Sequence, residues 1–350
     1  MIKNVTLSLA LTALTSSLSF GNEATISSIV VGSCYRQSSH QEFWRPLLEK
    51  KPDLALFVGD NVYADKADSI DGFEAEYAKL GESFGFQQLE LSARILATWD
   101  DHDFGINDGG ADYPHKERSE AIFEEFWKIP ADHPSRSRPG VYQQYTLGPE
   151  GKRVQVILLD TRFFRSPLKK APKDHPKKFR YLPDASKDKT MLGEAQWKWL
   201  EETLKKPAEL RIIASSIQVA AIQHGWEHWG NLPLERQRLF DTLAKSEAQG
   251  IILVSGDRHH GEISKVPPAT TGLKYPLYEI TSSSLNGPNR RAYPGHEPNE
   301  HRILGLNRPE ENFGAIQINW DASPATITLS LESLSGDPFY AATVPLDFLK

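Results

Sequence analysis

Short apolar runs alternate along the chain with amphipathic stretches, and run after run ends in side chains able to hold a cation or an anion. Ile26 to Val31 is β-branched and stops at Gly32-Ser33-Cys34; Asp53 to Val58 stops at Gly59-Asp60-Asn61-Val62-Tyr63. Between them, Glu42 to Lys50 predicts a helix capped by Ser39 and closed by Pro52. Strand, helix, strand in that order predicts a parallel pair, which brings Cys34 and Asp60 to one sheet edge. A helix over Asp71 to Gly85, with Phe73, Tyr77 and Leu80 on one face, precedes a third strand, Arg94 to Trp99, that ends in Asp100-Asp101-His102-Asp103. Further helices are predicted over Glu117 to Lys128, Gly193 to Lys206 and Leu232 to Ala248.

Val141 to Leu147 and Arg153 to Leu159 read as paired strands around the turn Gly148-Pro149-Glu150-Gly151, the second ending in Asp160-Thr161-Arg162. Leu210 to Ser216 and Gly250 to Ser255 are also strands, and the latter ends in Gly256-Asp257-Arg258-His259-His260-Gly261-Glu262. Alternating patterns at Leu277 to Ser282, Asn312 to Trp320, Ala325 to Leu331 and Ala341 to Leu346 predict a second, more antiparallel sheet. Phe163 to Thr190 lacks periodicity and is rich in Lys, Pro and Asp, which predicts a long excursion lying over the site as a lid or rim.

The 350 residues suffice for one large α/β domain. A net charge of -6, with the basic residues dispersed apart from Lys169 to Lys178, gives no footprint for nucleic acid. Lys3, the apolar and hydroxylated run Val5 to Leu18 and the small residues of Ser19-Phe20-Gly21 predict a signal peptide over 1–21. The mature domain is then 22–350, periplasmic or secreted, without a later membrane-spanning segment. That compartment makes the single cysteine notable: Cys34 has no disulfide partner within the chain, so it must be buried or bound to metal.

Candidate chemistry follows from the strand ends. Asp60 offers two hard oxygens, and a phenolate at Tyr63 requires a strongly acidic ion. Taken alone, this pair also suits an Asp turn with a packed tyrosine, and Asp100 to Asp103 an exposed acidic turn. Three carboxylates and an imidazole in four residues are nevertheless costly to place together unless cations neutralise them. Asp257 and His259, alternate residues of an extended turn, point to one centre while Arg258 faces another side. Arg162 supplies a fork for a phosphate oxyanion, with Asp160 as its salt-bridge partner. His224 and His228 read as loop or core residues.

Together, Gly32-Ser33-Cys34, Gly59-Asp60-Asn61-Val62-Tyr63, Trp99-Asp100-Asp101-His102-Asp103, Asp160-Thr161-Arg162 and Gly256 to Glu262 resemble the alkaline phosphatase D family of the calcineurin-like metallophosphoesterase superfamily. The resemblance implies a four-layer α/β/β/α sandwich of two mixed β-sheets flanked by helices. It also implies an exported enzyme that hydrolyses phosphate mono- or diesters at a centre of ferric iron and calcium. By position, Cys34, Asp60 and Tyr63 correspond to ligands of the ferric ion, with Asp60 bridging to calcium. Asp101, Asn107, Asp257 and His259 complete the metal set. His102 falls on a histidine that contacts substrate and protonates the leaving group, while Arg162 and Arg258 would stabilise charge on the phosphoryl oxygens after attack by a metal-bound oxygen. The leader departs from the family's usual paired arginines, since Lys3 is its only basic residue. Expected partners are a phosphate-ester small molecule or a phospholipid. The alternatives are a phospholipase or phosphodiesterase acting on lipid or envelope phosphodiesters, and a secreted protein that binds phosphate without catalysis.

Overall fold

The computed structural model describes residues 24–64, 70–289 and 296–350. The leader lies outside them, and among the described residues no helix is long and apolar enough to cross a membrane. The strands are β1 (Ser28–Gly32), β2 (Leu54–Val58), β3 (Arg94–Thr98), β4 (Gln143–Leu147), β5 (Val154–Leu158), β6 (Lys169–Lys170), β7 (Tyr181–Leu182) and β8 (Leu210–Ala214). They continue with β9 (Ile251–Ser255), β10 (Gly261–Val266), β11 (Leu277–Ser282), β12 (Arg302–Arg308), β13 (Phe313–Asn319), β14 (Thr326–Glu332) and β15 (Pro338–Pro345). The helices are α1 (Trp44–Glu49), α2 (Phe73–Glu82), α3 (Phe84–Ser92), α4 (Asp101–Phe104), α5 (Lys116–Phe126), α6 (Gly193–Leu204), α7 (Pro233–Lys245) and α8 (Pro268–Thr271).

Two mixed sheets carry the fold. One runs β15-β14-β13-β1-β2-β3, with β1, β2 and β3 parallel. The other runs β12-β10-β11-β9-β8-β5-β4, with β11, β9, β8 and β5 parallel. Side chains alternate along the first sheet: Ile29, Val31, Leu56 and Val58 enter the core shared with the second sheet, while Val30, Ala55 and Phe57 meet the helices. Trp44 of α1, Phe73 and Tyr77 of α2, Phe86 of α3 and Phe123 of α5 cover that outer face. Trp197 and Leu200 of α6 and Leu239 and Phe240 of α7 pack on the second sheet, so the order of layers is α/β/β/α. At about 1.5–3 kcal/mol for each fully buried large apolar side chain, these two clusters are the main source of stability.

Three local expectations are corrected. The late strands do not form a sheet of their own: β13 pairs antiparallel with β1, and β14 and β15 follow it, while β11 inserts in the other sheet. Pairing with β13 satisfies the free ladder of β1 and carries Ile316, Ile327 and Leu329 into the same inter-sheet core. Ser39 does not cap α1, whose N-cap is Phe43 without a side-chain bond. The helix predicted over Asp71 to Gly85 ends at Glu82, because Ser83 is extended, and α3 begins at once behind it. Gly85 permits that second helix, since a Cβ there would lie 2.1 Å from the Trp44 ring.

Candidate active site

The carboxyl ends of the parallel strands of both sheets meet at one edge of the sandwich, where α/β folds place their sites. Thr98 Oγ1 donates to the Leu159 carbonyl at 2.8 Å, Trp99 Nε1 donates to Asp160 Oδ1 at 2.8 Å, and Ser33 Oγ donates to the Ser282 carbonyl at 3.1 Å. Two glycines permit close contacts here, Gly59 within the first sheet and Gly256 between the two. Gly59 has φ +101°, and a Cβ there would sit 2.4 Å from Asp100 Cβ; a Cβ on Gly256 would sit 2.5 Å from Ser33 Oγ. Nine non-glycine residues among those described have positive φ, and five of them, Cys34, Asp60, Asp108, Asp257 and His259, lie here. A left-handed non-glycine residue costs about 1–3 kcal/mol and persists where its surroundings over-determine it, which marks this edge as functional.

Three donor sets form a continuous line: Cys34, Asp60 and His259; then Asp60, Asp101 and His102; then Asp101, Asp108 and Glu227. Within each set the donor atoms lie within 4.8 Å of one another. Cys34 Sγ is 3.4 Å from Asp60 Oδ2, which also accepts from the Tyr63 hydroxyl at 3.0 Å. Tyr63 OH is 3.3 Å from His259 Nε2. His259 Nδ1 bonds the Gly287 carbonyl, which only accepts, so Nδ1 carries the proton and Nε2 presents its lone pair. Burial holds the His259 pKa low and keeps the ring neutral.

The acids of the line are crowded. Burial lifts the Cys34 thiol and the Tyr63 phenol above their ordinary values, and burial together with the charges of Cys34 and Asp101 lifts Asp60. Asp101 is opposite: the charges of His102 and Arg162 and the N–H of Asp108 outweigh its burial and hold it low. Its Oδ1 is buried without a hydrogen-bond partner. Asp103 supports the site from below, accepting from the amides of Asp60, Asn61 and Asp100 and from the Asn61 side chain at 2.6–3.2 Å.

Above the line opens a cleft of about 480 Å³. Asp101, His102, Asn107, Asp108, Asp257 and His259 line it with three guanidiniums, Arg36, Arg180 and Arg258, and with Trp226. The His102 ring lies against that of Tyr63, tilted by 34°, with centroids 4.3 Å apart. A larger groove of about 1150 Å³ lies between α1 and α2–α3, and none of the donor sets borders it.

Of the ten sequence-predicted site residues, eight belong to the donor sets or the cleft, Tyr63 bonds to Asp60 and His259 inside them, and Arg162 stands apart. Arg162 is fully buried, with Nε and Nη2 on Asp100 Oδ1 (2.7 and 2.5 Å) and Nη1 on Glu227 Oε2 (2.6 Å). Its salt-bridge partner is therefore not Asp160, whose oxygens are taken by Trp99 Nε1 and the amides of Val141, Arg162 and Phe163. Asp257 and His259 both face the cleft, but through left-handed backbone rather than an extended turn, and Arg258 faces it with them. Of the excursion's cations only Arg180 reaches the cleft, bonding Asp108 Oδ2 at 2.8 Å. His224 and His228 are buried and bond to Gln218 and to the His224 carbonyl.

Glu227, Arg36 and Arg180 escaped the sequence reading, because each sits in a loop without periodicity and reaches the site only through tertiary contact. The one available signal was Asp108, beside Asn107 in a loop already rich in oxygen donors.

Residues 28–328 match the model of the family described as PhoD-like phosphatase. The chain belongs to that family. Alkaline phosphatase D of Bacillus subtilis (strain 168) is 20% identical over 300 residues, covering 71% of this chain and 49% of the relative. This PhoD-like chain thus spans about half the length of the curated relative it matches. Its fold is similar to the solved "Structure of PhoD" (TM-score 0.65, 16% identity, 92% of this chain and 69% of that one). It is also similar to GAP50, the anchor in the inner membrane complex of Plasmodium (TM-score 0.57, 12% identity, 92% and 89%). The predicted PhoD-like family and the mixed-sheet α/β architecture are both found.

Proposed function

We propose that the protein is an exported, metal-dependent phosphoesterase acting on phosphate mono- or diesters at the edge where the two sheets meet. The observation that carries this reading is the line of donor sets, linked through Asp60 and Asp101, on the floor of a cleft walled by three guanidiniums.

The donors fit metal ions. Thiol, phenol and carboxyl groups whose pKa values burial and mutual repulsion raise are relieved when a multivalent cation takes their protons' place, and Asp101 Oδ1, buried without a hydrogen bond, is a further oxygen such an ion could use. Cys34, Tyr63, Asp60 and His259 would hold a ferric ion; Asp60 and Asp101, with Asp257, Asn107 and Asp108, would hold calcium or another hard divalent ion. When bound, such ions supply Lewis acidity toward a phosphoryl oxygen and toward water.

Hydrolysis breaks the bond between phosphorus and the ester oxygen, joins a water oxygen to phosphorus, and delivers a proton to the leaving alkoxide. His102, on the cleft and braced by the Tyr63 ring, is placed to donate that proton. Arg258, fixed by Glu297, and Arg36, over the Tyr63 ring at 4.3 Å, hold the phosphoryl oxygens as charge builds on them. Arg162 is a positioning residue, fixing Asp100 behind the donors and Glu227 among them.

The test is elemental analysis of the purified protein with hydrolysis of nitrophenyl phosphate and bis-nitrophenyl phosphate before and after chelation. Iron with calcium is expected, with activity that falls on chelation and returns on reconstitution, and Asp60→Asn should lose both metal and turnover. A protein that hydrolyses neither compound after iron and calcium are supplied would instead be a phosphate-binding protein.

A further inference from the structure

Among the described residues, five large hydrophobic side chains are exposed, and Trp226 alone of them lines the cleft. Its side chain is 44% exposed, while its neighbour Glu227 is 1% exposed and ion-paired to Arg162 and Arg165. The loop is fixed on the other side too. The Gly225 carbonyl accepts from the amides of Arg180 and Tyr181 at 2.8 and 3.1 Å, and a Cβ at Gly225 would lie 2.3 Å from Phe179. The Trp226 amide donates to His224 Nδ1 at 3.3 Å. A rigid backbone thus presents an indole to the cleft, and the guanidinium of Arg258 lies 5.3 Å from its ring centroid. Such an indole gains little for the fold while partly in water, but it offers a preorganised stacking face to a ligand.

We propose that Trp226, standing beside the phosphate-facing Arg258, recognises a planar ring on the alcohol side of the ester. The substrate class is then phosphate esters of ring-bearing alcohols, such as nucleoside monophosphates, in preference to esters of simple sugars or aliphatic alcohols. The inference rests on the phosphoesterase reading. The geometry sets the order of groups: phosphoryl oxygens toward Arg258 and the donor line, the ring outward against Trp226. A cleft of about 480 Å³ has room for a substituent of that size.

The experiment compares kcat/KM for adenosine 5′-monophosphate and ribose 5-phosphate on the metal-loaded protein. Both esters leave from the same primary hydroxyl, so the ring is the main difference. The wild type should prefer the nucleotide by at least about fivefold, the low end of base–aromatic stacking, mainly through KM. Trp226→Ala should bring the ratio close to one, and Trp226→Phe should keep most of it. A wild-type ratio near one overturns the inference, as does an equal loss on both substrates in Trp226→Ala, which would make the indole a support for Arg258. Hydrolysis of nitrophenyl phosphate without either sugar phosphate also overturns the inference alone. Failure on all three substrates overturns the phosphoesterase reading and the inference with it.

Discussion

Arg162→Met separates a positioning role from contact with substrate. The guanidinium is fully buried and bonds to two carboxylates, Asp100 at 2.7 and 2.5 Å and Glu227 at 2.6 Å. Methionine fills part of the volume and leaves both acids without their cation. Breaking a buried pair in this way destabilises by about 3–5 kcal/mol. Arg165, 3.1 Å from Glu227, retains part of the compensation, and Asp100, which burial already lifts to about 7, can take up a proton; both point to the lower half of that range. With an unfolding entropy of roughly 2.1 cal/mol/K per residue, about 3–4 kcal/mol lowers the melting temperature by roughly 4–6 °C for a domain of this length. The assay is thermal unfolding by circular dichroism at neutral pH, with kcat/KM measured well below the transition. A melting temperature within a degree of wild type, joined to a loss of turnover of a hundredfold or more, would refute the reasoning and put Arg162 on the substrate.

Two further outcomes follow from the geometry. Burial, then the charges of Asp160 and Glu124, lift Glu120 to about 8, above its ordinary 4.5. A raised carboxyl favours folding only while protonated, so its ionisation weakens the fold as pH rises from about 4.5 to about 8; Glu120→Gln should melt higher than wild type, with a gap that opens across that window, and an equal gap at pH 5 and pH 9 would sink the assignment. Gly256→Ala puts a Cβ 2.5 Å from Ser33 Oγ and 3.1 Å from the Val58 carbonyl, and overpacking of this kind costs typically about 1–3 kcal/mol. Turnover should drop further than stability, because the added methyl parts the strand ends that carry Cys34 and Asp257, and unchanged turnover would contradict the close approach.

Much of the site was legible because it sits at strand ends, where an apolar run of five or six residues fixes the position of the polar residue that follows. Cys34, Asp60, Asp101, Asp257 and His259 were all found in this way. What escaped depends on tertiary partners. The strand Gly261–Val266 buries Glu262 and Ser264, breaking any apolar alternation, and Gln218, Asn299 and Arg302 satisfy Glu262 from other segments. Asp160 was assigned to Arg162 by proximity in sequence, yet the Trp99 indole and three amides occupy its oxygens. Glu227 has an acidic side chain in a loop as its only local signal, and its role appears once Arg162 and Arg165 are seen to converge on it. The helix at Phe84–Ser92 contains a glycine that argues against it locally and is required by the Trp44 ring.

The donor line is split between the two sheets, with Cys34, Asp60, Asp101 and His102 following strands of one and His259 following a strand of the other. The pair therefore works like the jaws of a caliper, whose setting is fixed by the apolar contents between them together with the few bonds that clasp the tips, Thr98 to Leu159, Trp99 to Asp160 and Ser33 to Ser282. Trading a leucine for a valine deep in the inter-sheet core, or relaxing that core with temperature, lets one jaw shift against the other. Chemistry that depends on donor spacing feels that shift long before the sandwich comes apart.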